Sequence, residues 1–208
     1  RLRWVMSRLA EDPEQWTGIA NAIAQVADLG VVGLELEEQE VPQEVLDLLR
    51  RFPWSEDEDA EVPAEVLKEL QRHLVLHHRG AGGEEYSLAS SQQSQGTLTW
   101  LATVGPAIDA LRLGQVLCID ELDASLHPTL TATLVDMFKD PDLNTRGAQI
   151  VFTTHDTALL DNSPVQLLEA GEVWMTEKSS FGASELFSLA DFPSNRKGTN
   201  KQRRYLAG

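Results

Sequence analysis

Residues 116–128 read Val-Leu-Cys-Ile-Asp-Glu-Leu-Asp-Ala-Ser-Leu-His-Pro, and this stretch decides the fold. Its first four residues are apolar, and such a run predicts a strand buried on both faces, as in the parallel sheet of an α/β protein. The acids Asp120 and Glu121 follow at once. Because ligands bind at the carboxyl ends of parallel strands, we expect this acid pair to belong to a site.

The two acids could divide the chemistry of such a site between them. Asp120 and Glu121 are adjacent, and adjacent residues of an extended chain point to opposite sides. One carboxylate could therefore hold a hydrated Mg²⁺ while the other activates a water molecule. The simpler alternative is a solvated acidic turn between a strand and a helix.

A second apolar run, at 149–154, predicts another buried strand, and His155 follows it. A lone histidine is usually structural. One at the end of a strand, beside a strand that ends in two acids, could instead bond a terminal phosphate. Strands alternate with helices in this part of the chain, which indicates an α/β architecture. The other predicted elements here are helices at 98–113, 128–138 and 196–206 and strands at 172–176 and 184–189.

A third candidate feature, Ser94-Gln95-Gly96-Thr97, lies where a helix is predicted to begin. A serine hydroxyl, a glycine amide and a positive helix N-terminus can together form an anion site. Glycine also lets the backbone approach a phosphate closely. Serine at a helix start is nevertheless more often a simple N-cap, and both interpretations stay open at this point.

Residues 1–89 form a mixed helical and strand region, which we interpret as an insertion or lid. Prolines begin several of its helices, and a hairpin turn rich in glycine joins its last two strands. An acidic loop at 55–61 reads as a solvated segment. The predicted helices are at 13–27, 45–49 and 66–70, and the predicted strands at 29–36, 73–78 and 86–88.

The net charge, the cysteine count and the lack of long apolar runs indicate which partners and which cellular location to expect. The chain has 208 residues and a net charge of −16, which argues against a surface built broadly to grip nucleic acid. Basic residues do gather between Arg196 and Arg204, so nucleic-acid contact is conceivable but not indicated by charge. There is no membrane-spanning run, no signal peptide and only one cysteine, Cys118, so we expect a cytoplasmic protein. Because the chain opens with Arg1, we expect it to be processed or part of a longer polypeptide.

Taken in order, these features resemble the C-terminal half of an ABC-type ATPase nucleotide domain. The resemblance covers about 90–208 and is strongest to the soluble AAA ATPases of the bacterial anti-phage group, of overcoming-lysogenization-defect and abortive-infection type. It implies an α/β fold: an ABC-type P-loop NTPase head with parallel central strands in its C-terminal lobe (90–208), preceded by the mixed α+β lid region (1–89). The matching segments are Ser94-Gln95-Gly96-Thr97-Leu98, Ile119 to Pro128, Phe152-Thr153-Thr154-His155-Asp156, and the tail from Ser184 to Gly208.

The resemblance also implies roles and ligands. Asp120 would be the Walker B aspartate, holding Mg²⁺ through water, and Glu121 the general base of ATP hydrolysis. His155 would be the switch histidine on the γ-phosphate, and Asp123 would begin the D-loop, which crosses to a second head. Two heads would then close around ATP and control a separate effector, such as a nuclease or a toxin. The signature motif, which completes the ATP site of the partner head, would be Ser94, Gly96 and Thr97.

One part of the family pattern is missing. The phosphate-binding Walker A loop reads Gly-x-x-x-x-Gly-Lys-Ser/Thr, and no such motif occurs in these 208 residues. The glycines near Gly30 and Gly80 lack its lysine and its spacing. We therefore expect the chain to be the C-terminal part of an ATPase and to be inactive alone. The Q-loop cannot be placed either.

Two other functions fit some of the motifs. A DNA-repair head of the SMC or RecF type shares the ATPase motifs, but it would have a heptad region and a basic DNA-facing surface. A Mg²⁺-dependent nuclease could use Asp120, Glu121 and Asp123 as metal ligands, but Ser94 and His155 would then have no role. The order of the motifs favours the ATPase.

Overall fold

The structure is a computed structural model, and it describes residues 2–26, 30–52, 54, 61–124, 126–160 and 166–192. The chain divides into two compact units, Arg1–Pro106 and Ala107–Gly208. The predicted boundary between residues 89 and 90 stays a prediction. The predicted helix at 196–206 and most of the acidic loop at 55–61 lie outside the described residues.

The first unit opens with two helices. α1 spans Arg3–Glu11 and α2 spans Pro13–Val26, of which only α2 is predicted from the sequence. A three-stranded antiparallel sheet follows in the order β1-β2-β3, with β1 at Val31–Glu38, β2 at Arg72–Arg79 and β3 at Glu85–Ala89. Two short helices lie between β1 and β2 in the chain: α3 at Gln43–Leu49 and α4 at Ala64–Gln71. This part of the chain therefore contains both helices and strands.

The core of the first unit forms where the sheet meets the helices. Leu34 of β1 pairs with Leu76 of β2, and both side chains are buried. The long helix α5, Gln95–Leu113, adds the fully buried Trp100, whose ring N–H donates to the carbonyl of Ile23 over 3.0 Å. Burying an indole with its N–H satisfied stabilises the unit without leaving an unpaired donor.

A glycine permits a close helix contact in this unit. A Cβ atom on Gly105 of α5 would lie 2.2 Å from Cζ3 of Trp4, so the Trp4 ring occupies the space that a side chain would need. Trp4 in turn meets Trp16 edge to face, with ring centroids 5.1 Å apart. The bare backbone at Gly105 therefore lets α1 pack on α5.

The end of α5 matches its prediction. Gly114 follows the helix at φ +69°, and the next residue, Gln115, donates its N–H to the carbonyl of Ala110 over 2.9 Å. Glycine is the usual residue at such a left-handed C-terminal position because it lacks a Cβ. The chain then turns directly into the strand that carries the acid pair.

The second unit contains a parallel pair of strands. β4, Val116–Ile119, pairs with β5, Gln149–Phe152, in the register Val116↔Gln149 to Ile119↔Phe152. Helix α6, Pro128–Lys139, connects them and packs on β5. An antiparallel hairpin follows, with β6 at Trp174–Lys178 and β7 at Ser184–Ser188.

The burial predicted for β4 and β5 is wrong. Val116 is 57% exposed and Val151 58% exposed, and Cys118 is exposed as well. Residues 117, 119, 150 and 152, on the opposite face, are half-buried. Within the described residues one face of the sheet is therefore exposed, and α6 packs on β5. No helix in the described part of the chain is long and apolar enough to span a membrane.

Candidate functional site at the ends of the parallel strands

The carboxyl ends of β4 and β5 are joined by one threonine. Thr153, the first residue after β5, donates its hydroxyl to Oδ1 of Asp120 over 2.5 Å. The same hydroxyl oxygen accepts the backbone N–H of Glu121 over 2.8 Å. Backbone bonds continue the pairing, from Thr153 N–H to Ile119 O and from Leu122 N–H to Thr153 O. The parallel register thus extends past both strands into the turn that contains the acids.

Glu121 has an unusual backbone conformation. Its φ is +52°, and it is the only non-glycine residue with positive φ in the described part of the chain. This left-handed conformation costs free energy in any residue that has a Cβ. Such residues cluster at functional sites, where the surrounding structure holds them. The side chain of Glu121 is exposed.

Asp123 is turned toward the end of β5. Its Oδ1 accepts the hydroxyl of Thr154 over 2.6 Å and the backbone N–H of His155 over 3.1 Å. Partial burial acts to raise the pKa of the Asp123 carboxyl, but these hydrogen bonds outweigh it, and its pKa lies below the ordinary value. The described contacts of this carboxylate are therefore made inside its own unit.

The loop after the acids is anchored by buried leucines. Leu122 and Leu126 are both buried, and the N–H of Leu126 donates to the carbonyl of Asp123 over 3.2 Å. His127 then caps α6: its Nδ1 accepts the N–H of Thr129 over 3.2 Å. Pro128 takes the first helical position, where its missing N–H costs nothing. The segment Leu-His-Pro therefore has a structural function at the helix start.

His155 is exposed and follows Thr153 and Thr154, whose side chains bind Asp120 and Asp123. The next residue, Asp156, caps the short turn Thr157–Leu160 by accepting the N–H of Ala158 over 2.8 Å. Its other carboxylate oxygen, Oδ2, is buried and has no hydrogen-bond partner among the residues that the structure describes. A buried carboxylate oxygen needs a donor, so this atom suits a water molecule or a ligand hydroxyl.

The described residues contain no cluster of three or more acidic, histidine or cysteine side chains placed to hold a metal ion. Asp120 is bound by Thr153, whereas Asp123 is bound by Thr154 and His155. The nuclease alternative would need Asp120, Glu121 and Asp123 to converge on one metal ion. Asp120 at a strand end does suit hydrated Mg²⁺, which keeps most of its waters and takes one or two carboxylates together with substrate phosphates.

The predicted signature residues belong to the first unit. Ser94 Oγ accepts the backbone N–H of Thr97 over 3.1 Å and lies 2.8 Å from Oγ1 of Thr97. Ser94 therefore acts as the N-cap of α5 in this conformation. Thr97 is buried, whereas Gly96 is half-buried and Ser94 exposed. The ligand role of Ser94, Gly96 and Thr97 stays a prediction.

Sequence reasoning missed the roles of Thr153, Thr154 and Asp156. All three follow β5 directly, so their position at a strand end was the available signal. It also missed a row of polar side chains across the first unit's sheet: His77 Nδ1 lies 2.9 Å from Ser87 Oγ, and His77 Nε2 lies 3.2 Å from Glu35 Oε2. Glu35 and His77 line a cavity of about 630 Å³ in that unit.

A parallel strand pair with acids, threonines and a histidine at its carboxyl end is an arrangement compatible with a P-loop NTPase. The family model described as "AAA domain, putative AbiEii toxin, Type IV TA system" matches residues 8–161, about three quarters of the chain. The chain belongs to this family of AAA domains, which are nucleotide-binding ATPases that act with Mg²⁺. No curated protein matches the chain.

Proposed function

We propose that the chain is the C-terminal part of an ABC-type ATPase of the anti-phage group, whose heads close around ATP and switch a separate effector on or off. The observation that supports this most directly is the link from Thr153 to Asp120 and Glu121. It brings the ends of β4 and β5 together, so that Asp120, Glu121 and His155 follow neighbouring strand ends. Phosphoryl transfer depends mainly on positioning and on stabilising charge, so charged and hydrogen-bonding groups gathered at neighbouring strand ends suit it.

The proposal gives Asp120, Thr153 and Glu121 separate roles in ATP hydrolysis. Asp120 would hold Mg²⁺ through water, with Thr153 fixing the orientation of its carboxylate. Bound Mg²⁺ supplies positive charge against the phosphate oxygens. Glu121 would accept a proton from the attacking water. Its left-handed backbone supports this role, because strained residues of this kind cluster at functional sites.

The remaining assignments concern the phosphate and the second head. His155 would hydrogen-bond the terminal phosphate, held in place by its own N–H bond to Asp123. Ser94 and Gly96 would face the nucleotide of the partner head, and Thr97 would support Ser94 from inside. The Walker A loop would come from sequence outside these 208 residues, because they contain no such motif.

The proposed effector role draws on the family description and on the charge of the chain. The family description mentions a putative toxin of a type IV toxin–antitoxin system, and the proposed switch would act on an effector of that kind. The net charge of −16 disfavours the DNA-binding surface of an SMC or RecF head.

The test is Glu121→Gln in the native protein that carries a Walker A loop. ATP turnover should fall by about 100-fold or more, because only the general base is removed. ATP binding should persist, and the heads should remain associated on ATP in sedimentation experiments. Glu177→Gln, an exposed glutamate of β6, serves as the control and should leave turnover unchanged.

Two results would contradict the proposal. In the first, Glu121→Gln leaves ATP turnover unchanged. In the second, the variant abolishes DNA cleavage while ATP turnover stays at the wild-type level, as expected of a nuclease. A direct measurement on residues 1–208 is also informative: fluorescent ATP should bind them weakly, and tight Mg²⁺-dependent binding would refute an external Walker A loop.

A further inference from the structure

Helix α3 carries an apolar stripe on one face. Its members, Val45, Leu48, Leu49 and Phe52, stand at the spacing i, i+3, i+4 and i+7, which places them on the same side of a helix. The helical turn continues past the end of α3, since Phe52 N–H donates to the carbonyl of Leu49 over 3.1 Å. The stripe is therefore a continuous surface, called here the α3 stripe.

Most of the α3 stripe faces solvent. None of the residues of α3 is buried, and the side chains of Leu48 and Phe52 are 54% and 56% exposed. Leu49 is half-buried, and its carbonyl accepts the ring N–H of Trp54 over 2.8 Å. A single exposed leucine is ordinary on a protein surface, but a helical stripe of them marks an interaction site.

The charge around the stripe restricts what can bind there. Between residues 40 and 70 the sequence has ten acidic and three basic residues. One of the basic residues, Arg50, is already paired with Asp47 at 3.2 Å. Nucleic acid and anionic membranes would be repelled by a segment of this net charge. So would a second copy of this chain, whose net charge is −16.

We propose that the α3 stripe docks a segment of a separate protein that is both basic and apolar. The apolar side chains of the partner would cover Leu48 and Phe52, and its lysines or arginines would face Glu44 and the neighbouring acids. Charge of this kind steers association and selects the partner. The inference rests on the proposed function only in naming this partner as the effector of the switch.

The experiment measures binding of a fluorescein-labelled peptide to the 208-residue chain by anisotropy, without nucleotide. The probe is a peptide of about 18 residues, with leucine and lysine placed so that they form opposite faces of a helix. Two matched peptides accompany it: one with glutamate in place of lysine, and one with the same leucines and lysines in scrambled order. The salt concentration is about 150 mM, which screens non-specific attraction.

The amphipathic lysine peptide should bind, and the glutamate and scrambled peptides should bind at least about tenfold more weakly. The double variant Leu48→Gln/Phe52→Gln should lose about tenfold or more in affinity for the amphipathic peptide. The matched control Phe181→Gln/Leu186→Gln removes two exposed apolar side chains in the other unit and should bind as the wild type does.

A second variant tests the charge component. Glu40→Gln/Glu44→Gln keeps the apolar stripe and should weaken binding several-fold, with a shallower dependence on salt. Circular dichroism checks that each variant is folded, as expected for exposed positions. Peptide affinity that is the same in wild type and Leu48→Gln/Phe52→Gln would overturn the proposal, because binding would then be diffuse attraction to an acidic protein.

Two further outcomes would also overturn it. One is self-association of the chain that the Leu48→Gln/Phe52→Gln variant abolishes, since the occupant would then be a second copy. The other is binding of double-stranded DNA that competes with the peptide. The peptide experiment contains no nucleotide, so a negative result in it leaves the ATPase proposal standing. A negative result of the Glu121→Gln test likewise leaves the proposal of a docking site at the α3 stripe standing.

Discussion

Thr153 Oγ1 lies 2.5 Å from Asp120 Oδ1, and the same oxygen accepts the N–H of Glu121. These two bonds join residues that are 33 and 32 positions apart in the chain. A valine at residue 153 has nearly the same shape as threonine but can make neither bond. The hydroxyl of Thr153 therefore adds two side-chain contacts to the backbone bonds that hold the acid pair.

We expect Thr153→Val to destabilise the second unit and to lower ATP turnover in the native protein. Each hydrogen bond contributes about 1 kcal/mol to the free energy of unfolding. Because the site is exposed to solvent, we expect the loss of both bonds to cost about 1–2 kcal/mol. Urea unfolding measures the stability. The control is Thr176→Val on β6, an exposed strand position that favours a β-branched residue of either kind. Equal stability of Thr153→Val and wild type would show that the link is unimportant.

Asp123 should give the unit an acid-sensitive component of stability. Because its pKa is lower in the folded chain than in the unfolded one, its contribution is present above the unfolded value, about 3.9. The contribution is lost as the pH falls through the folded pKa, when the carboxylate is protonated. The unfolding midpoint of the wild type should thus fall more between pH 7 and pH 3 than that of Asp123→Asn.

A second variant tests the cause of that acid sensitivity. Thr154→Val removes the hydroxyl that donates to Asp123 over 2.6 Å and should reduce the same pH dependence. Asp136→Asn, on the exposed side of α6, controls for the loss of one carboxylate. If Thr154→Val titrates as the wild type does, the hydroxyl is not what lowers the pKa of Asp123.

Replacing Glu121 by glycine should raise the free energy of unfolding and lower ATP turnover. Its φ of +52° is strained for a residue with a Cβ, so Glu121→Gly should raise the free energy of unfolding by about 1 kcal/mol. The same change removes the proposed base, so ATP turnover in the native protein should fall. Glu121→Gln keeps the strain, and its stability should match that of the wild type. A less stable Glu121→Gly variant would contradict the argument from strain.

Gly105 should tolerate no side chain while Trp4 is in place. A Cβ at residue 105 would lie 2.2 Å from the Trp4 ring, so Gly105→Ala should cost about 1–3 kcal/mol. The matched control is Gly18→Ala in α2, where a Cβ meets nothing within 4 Å. That change should stabilise the chain by up to about 1 kcal/mol, because alanine is the better helix former.

A rescue variant separates the steric cause from a general effect on α5. Trp4→Leu shrinks the side chain that fills the space over Gly105. The added cost of Gly105→Ala should therefore be smaller in the Trp4→Leu background than in the wild type. Thermal unfolding of the four proteins gives the coupling free energy, and a value of zero would exclude the proposed clash.

Local patterns predicted most of the secondary structure. The helix at 98–113 and the strand before Asp120 are recognisable because apolar spacing, a glycine end and an acid pair all lie within a few residues. The N-terminal helix α1 was missed, because its many charged residues obscure the two residues it buries, Val5 and Leu9. The burial of β4 was overestimated for another reason: an apolar strand does not reveal whether both of its faces are covered.

Sequence patterns were sufficient for the order of most elements, the C-terminal end of α5, the start of α6, and the succession of Asp120-Glu121 and His155 that indicated an ATPase. These are properties of neighbouring residues, set by backbone conformation and capping over a few positions. The tertiary structure alone decided that Thr153 bonds Asp120, that Asp123 turns toward Thr154, and that one face of β4 is exposed. Such contacts depend on strand register and on which surfaces meet. The bonded partners lie more than 30 residues apart in the chain, with α6 between them.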